Sequence, residues 1–160
     1  MKKQIDLFAI DNRHIQLSKK GDPLERLNSV MNWEIFSDLL QKVRQKGDRK
    51  SNAGRKPFDN LVMFKMLILQ TLYKLSDAQL EYQTKDRLSF ARFLGLELTD
   101  IVPDEKTVWL FREELKNSGL MDELFKRFDE YLSNRGYKAE LGTIVDATIV
   151  EVPRQRNAEK

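Results

Sequence analysis

The chain contains no cysteine, so disulfides and thiolate metal sites are excluded and a reducing cytoplasm is the simplest setting. It contains a single histidine, His14, which leaves Ser/His/Asp arrangements and histidine metal clusters without support. His14 reads as an ordinary surface or packing residue. The seven glycines are scattered, mostly at the ends of helical stretches, and build no phosphate-cradling loop. Met1 to Ile10 includes an acid and no sustained apolar run, unlike a signal peptide. The best candidate for a membrane segment, Leu61 to Leu75, is interrupted by Lys65 and Lys74 and is too short to span. A soluble cytoplasmic protein with no membrane partner is the expectation.

What is present is a core and a great deal of charge. Of 160 residues, 41% are hydrophobic and 33% charged, enough for one domain, or one domain and part of another. The net charge of +3 is unevenly placed: residues 1–60 hold thirteen basic and eight acidic side chains, and residues 61–160 hold fifteen and seventeen. The excess concentrates in Lys42, Arg44, Lys46, Arg49, Lys50, Arg55 and Lys56, opposed in that stretch only by Asp48. Such a run attracts polyanions by displacing the counterions condensed on phosphates. A solvated linker has the same composition.

The pattern is mainly helical. Residues 1–21 read as an extended arm pinned by Ile5, Leu7, Phe8 and Ile10. Asp22-Pro23 opens a helix, with Asp able to cap and Pro losing no bond at the first helical position; Leu24, Leu27, Val30 and Met31 follow at helical spacing. A second helix is expected from Trp33 to about Lys46, with Phe36, Leu39, Leu40 and Val43 inward. Gly47 to Pro57 reads as a loop. Phe58 to Leu75 is apolar on most sides and should be the central helix.

Ser76 is a good cap for a short helix through Leu80 and Tyr82, with Glu81 behind it in place of an ideal third-position acid. Asp86 is expected to open another, carrying Leu88, Phe90, Phe93 and Leu94 to Gly95. Pro103-Asp104 starts a helix burying Val108, Phe111 and Leu115. A last one, from Met121 to about Asn134, turns Leu124, Phe125, Phe128, Tyr131 and Leu132 to one side. These segments form a helical domain over 1–135.

From Gly136 the character changes. Gly142 to Val150 is rich in β-branched residues without helical period and reads as a strand. One strand cannot satisfy its own backbone groups, so residues 136–160 look like the first one or two strands of a sheet whose other strands are absent. Asp146 lies mid-strand and shares a face with Ile144, Thr148 and Val150. A carboxylate among apolar residues there needs a metal ion or a cation as partner, unless the strand is an edge and Asp146 meets water. Glu151 falls on the opposite face and is the weaker candidate. One convincing acid is fewer than two-metal phosphoryl chemistry requires, so the chain alone is expected to hold metal poorly.

Signals for DNA are richer. In Asn52-Ala-Gly-Arg-Lys-Pro57 the basic pair Arg55-Lys56, between Gly and Pro, suits a minor-groove arm. The short helices between Ser76 and Gly95, with the helix opening at Pro103, could form a helix-turn-helix-like unit. Lys106, Thr107 and Arg112 would then be its exposed polar residues beside Trp109.

Several stretches together resemble the insertion-sequence-five-family transposases of bacteria, of the DDE type. They are Gly21-Asp-Pro-Leu-Glu-Arg-Leu27, Leu75-Ser-Asp-Ala-Gln-Leu80, Arg87-Leu-Ser-Phe-Ala-Arg-Phe-Leu-Gly-Leu96, Pro103-Asp-Glu-Lys-Thr-Val-Trp-Leu-Phe-Arg112 and Ile144-Val-Asp-Ala-Thr-Ile-Val-Glu-Val-Pro-Arg-Gln-Arg-Asn157. The resemblance implies a helical, helix-turn-helix-like domain that recognises terminal inverted repeats in double-stranded DNA. It also implies an RNase H-like domain in which three acids hold two Mg²⁺ ions for DNA cleavage and strand transfer. Asp146 matches the first acid, and the second Asp and the Glu would follow Lys160, so an amino-terminal part of such an enzyme is expected, Asp146 being its catalytic and metal residue. Partners would be the repeats and a second copy or full-length transposase. The alternatives are a non-catalytic module that inhibits full-length transposase, and a remnant of a disrupted gene.

Overall fold

The computed structural model describes residues 8–44, 57–140 and 148–151, with side chains over 8–43 and 57–137. The helices are α1 (Ala9–Lys19), α2 (Pro23–Val30), α3 (Ser37–Arg44), α4 (Asn60–Tyr73), α5 (Asp77–Asp86), α6 (Leu88–Leu94), α7 (Glu105–Asn117) and α8 (Leu120–Asn134). A hairpin of β1 (Tyr137–Glu140) and β2 (Thr148–Glu151) follows them.

α4 is the centre, as its all-round apolar surface foretells. Eight of its fourteen residues are buried, Lys65 among them, and it touches α3, α5, α6 and α7. Phe64 is fully enclosed, its ring centroid 5.0 Å from Phe36 and 5.6 Å from Phe125. Asp59 caps the helix by accepting from the Leu61 N–H at 2.7 Å, which satisfies one of the orphan donors of the first turn. The helix ends where Lys74 turns left-handed at φ 52°, a position that more often goes to glycine.

The inward faces expected on α3 and α7 are observed: Phe36, Leu39, Leu40 and Val43, and Val108, Phe111 and Leu115, are all buried. On α8, Leu124, Phe128 and Leu132 are buried, while Phe125 and Tyr131 lie half-buried against the core.

Several local expectations are corrected. The described part of the first segment is a helix, α1, which buries none of its residues. Its Ile10 and Ile15 stay exposed, so no apolar stripe betrays it. The segment from Trp33 begins as a 3-10 turn over Trp33–Phe36, capped by Asn32, before α3 starts at Ser37. At α5 the third-position partner of Ser76 is Gln79, and the two close a full capping box. Asp86 ends α5 and opens nothing; α6 begins after Arg87 without a side-chain cap.

The strand expected from Gly142 lies outside the described residues up to 147. Its observed end, β2, pairs antiparallel with β1 in a register running from Tyr137↔Glu151 to Glu140↔Thr148. The second of the one or two strands expected is β1, whose position the sequence does not mark because Tyr-Lys-Ala-Glu has no β-branched residue. β1 packs on α8, and β2 approaches α2. Among the described residues no helix is long and apolar enough to cross a membrane.

Candidate nucleic-acid interface

α5, α6 and α7 form one packed unit, α5 touching both of the others. The amino end of α7 is built by two carboxylates. Asp104 accepts from the Thr107 N–H at 2.7 Å, and Glu81 of α5 accepts from the Glu105 N–H at 2.7 Å. Glu81 is held below the usual carboxylate range by its hydrogen bond from Lys85 and then by the Glu105 N–H. Both acids suit a helix amino terminus, where the dipole favours negative charge.

Lys106 stands exposed on this first turn, and Thr107 is half-buried beside it. Trp109 is 48% exposed and Leu110 51%. Asp77, Glu105, Lys106 and Trp109 line a shallow depression of about 370 Å³ there.

Arg112 is occupied differently. Its two terminal nitrogens donate to the two carboxylate oxygens of Asp77 at 2.6 and 2.7 Å, and one also donates to Gln70 Oε1 at 3.0 Å. This bidentate pair ties α7 to the start of α5 and to the end of α4, and it sits about three-quarters buried. The guanidinium holds the Asp77 carboxyl well below its ordinary value, and Asp77 in turn raises that of Arg112. Such forked pairs fix orientation as well as charge. Arg112 therefore positions α7.

Of the basic run, Lys42 is an exposed residue of α3. Arg44 ends that helix, and its side chain lies outside the described set; Lys46, Arg49, Lys50, Arg55 and Lys56 lie outside it altogether. Asp146 lies outside the described residues too. Among those that are described, no group of three or more His, Cys, Asp or Glu could hold a metal ion.

Residues 12–114, from within α1 to within α7, match the family model described as Transposase domain (DUF772). The chain belongs to this transposase domain family. No solved structure matches it.

Three further cations tie the helices to one another, and no motif in the sequence marks them for that role. Lys65 is 8% exposed inside α4. Its Nζ donates to Asn28 Oδ1 at 3.0 Å and to the Phe93 carbonyl at 3.1 Å. It also lies 4.4 Å from the Trp33 ring centroid and 5.2 Å from that of Phe93. Burial pushes its pKa down to about 8, against two acceptors and two ring faces that favour the ammonium. One signal was available: Lys65 shares the inward stripe of Leu61, Ile68, Leu69 and Leu72.

Arg92 of α6 reaches Asp22 at 2.6 Å and Glu25 at 3.4 Å in α2 and its cap. It also donates to the His14 carbonyl at 3.2 Å and to Ser18 Oγ at 2.9 Å, both on α1. Arg127 of α8 donates to the Ile35 carbonyl and to Asp38, both at 2.6 Å, and its guanidinium lowers the Asp38 pKa.

Proposed function

We propose that residues 1–135 bind the terminal inverted repeats of an insertion sequence of the five family, as double-stranded DNA. The observation that carries this reading is the transposase-domain match over residues 12–114. In it, Lys106 and Thr107 at the front of α7 meet base edges in the major groove, in helix-turn-helix fashion. The Asp77–Arg112 pair supports the arrangement by fixing α7 on α5. Lys42, Arg44, Lys46, Arg49 and Lys50 follow phosphates, and Arg55 and Lys56 enter a minor groove. Residues 136–160 open an RNase H-like domain in which Asp146 is a Mg²⁺ ligand. In the complete enzyme that domain performs DNA cleavage and strand transfer.

Fluorescence anisotropy with a labelled terminal-repeat duplex and a scrambled duplex of equal length tests the binding half. The repeat is expected to bind more tightly, and both complexes to weaken with salt. Lys106→Ala with Thr107→Ala narrows the preference, whereas Arg55→Ala with Lys56→Ala weakens both duplexes alike. Equal affinity for the two duplexes in the unaltered chain would sink repeat recognition. For the catalytic half, Asp146→Asn in a complete transposase is expected to abolish Mg²⁺-dependent cleavage and leave repeat binding intact. Retained cleavage would remove Asp146 from the site.

A further inference from the structure

α1 poses a problem that its packing does not solve. It buries no residue, yet Arg92 grips it at two points, the His14 carbonyl and Ser18 Oγ. Between α1 and the start of α6 runs a groove of about 520 Å³, lined by Arg13, Gln16, Leu17, Lys19, Lys20 and Leu88. Leu17 and Leu88 form a half-buried floor, and the other four residues are exposed. Three of those four are cations, and no acid lines the groove.

The nearby acids do not cancel this charge. Asp22 and Glu25 are both engaged by Arg92, and Asp11 is two residues from Arg13, across the helix from it. Arg13, Lys19 and Lys20 have no ion-pair partner among the described residues. Cations in a last helical turn also serve the helix dipole, which suffices for Lys19 and Lys20. It leaves Arg13, a turn and a half earlier, without a role.

Arg13, Gln16, Leu17 and Lys20 share one face at helical spacing. From Arg13 to Lys20 the helix rises about 10 Å, at about 1.5 Å per residue. That rise covers three phosphate-to-phosphate steps of one strand, at about 3.4 Å of duplex axis each, and so spans four successive phosphates.

We propose that this groove seats the phosphodiester backbone of the bound duplex, with Arg13, Lys19 and Lys20 as its phosphate contacts and Gln16 as a neutral donor among them. The inference rests on the DNA-binding reading above and adds a contact outside α7 and the basic run. The Arg92 grip then has a purpose: it holds a helix without core anchorage at a fixed height against the duplex. Because phosphate contacts carry no sequence information, this groove sets register and affinity and leaves base preference untouched.

The test is the salt dependence of DNA binding by the full chain, read by anisotropy with repeat and scrambled duplexes. Arg13→Gln, Lys19→Gln and Lys20→Gln combined should lower the slope of log K against log salt by about 2–3, at about 0.9 per lost contact, equally on both duplexes. The control is Lys74→Gln, Lys116→Gln and Lys126→Gln, three exposed lysines outside the groove, the last two each facing an acid; it removes the same charge and should leave the slope near its original value. An unchanged slope in the groove variant, or an equal drop in the control, would overturn the groove while leaving DNA binding standing. An unaltered chain that binds neither duplex at low salt would overturn both. All six substitutions are at exposed positions, so thermal melts of the variants should superimpose on the parent, and the binding comparison is made at that matched stability.

Discussion

α4 and α1 are helices of similar length held in place by opposite means. α4 buries eight residues and is touched by four other helices. α1 buries none, and what holds it is mainly polar: hydrogen bonds from Arg92 of α6 and one from its own Ser18 to Glu25 of α2. Each fully buried large apolar side chain contributes about 1.5–3 kcal/mol, so α4 is secured many times over. Arg92 offers α1 a few polar bonds of about 1 kcal/mol each. The comparison separates a scaffold from a mounted part: one helix makes the domain fold, and the other is presented at its surface.

The sharpest way to test the scaffold side is Phe64→Ala. Phe64 is fully enclosed between Phe36 and Phe125, and its removal should cost about 3–5 kcal/mol in denaturant melts. A cost below about 1 kcal/mol would mean that α4 is not the centre of the core.

The mounted side is tested by Arg92→Ala. It leaves Asp22, whose side chain is 5% exposed, without its cation, and should cost about 2–3 kcal/mol. More telling is where the loss appears. Amide exchange should accelerate across α1 while the centre of α4 stays protected until global unfolding. If the two helices exchange together, the contrast between them fails.

Lys65 tests the scaffold from inside. Its folded pKa, at about 8, is depressed from 10.5. Between those values the unfolded chain binds the proton and the folded chain does not, so stability rises with pH across that window. Below pH 8 the charged form is present in both states, and the cost of burying it is felt in full. A gain of about 1–2 kcal/mol from pH 8 to 10.5 is expected, reduced from the full linkage value because Asn28, the Phe93 carbonyl and two rings favour the ammonium. Lys65→Met should flatten that rise in pH-resolved melts.

The smallest effect belongs to α1 again. Ile15 is 52% exposed, and Ile15→Ser should change stability by less than about 0.5 kcal/mol. A larger loss in the same melts would reveal packing on α1 beyond the Arg92 grip.

These two helices also mark how far the chain could be read in advance. α4 was legible because burial on nearly all sides requires apolar residues on nearly all sides. α1 was not, because a helix that buries nothing needs no periodic stripe, and it passed for an extended arm. Lys106, Thr107 and Arg112 were all taken from the sequence as exposed polar residues of one helix. Lys106 is exposed, Thr107 is half-buried, and the Arg112 guanidinium is held by Asp77 and Gln70. Local spacing told which helix carries them, and could not tell what stands opposite.

By itself, then, the sequence determined the helical segments from α2 onward, many of their caps and the identity of the central helix. These follow from interactions within a few residues: side-chain oxygens on first-turn amides, and side chains three and four apart on one face. Only the tertiary structure decided the partners of the cations. Arg92 meets Asp22 across 70 positions, Arg112 meets Asp77 across 35, and Arg127 meets the Ile35 carbonyl across 92. Charge–charge pairing has no period along a chain, so the same arginines could have been free to meet a phosphate until the fold brought an acid to them.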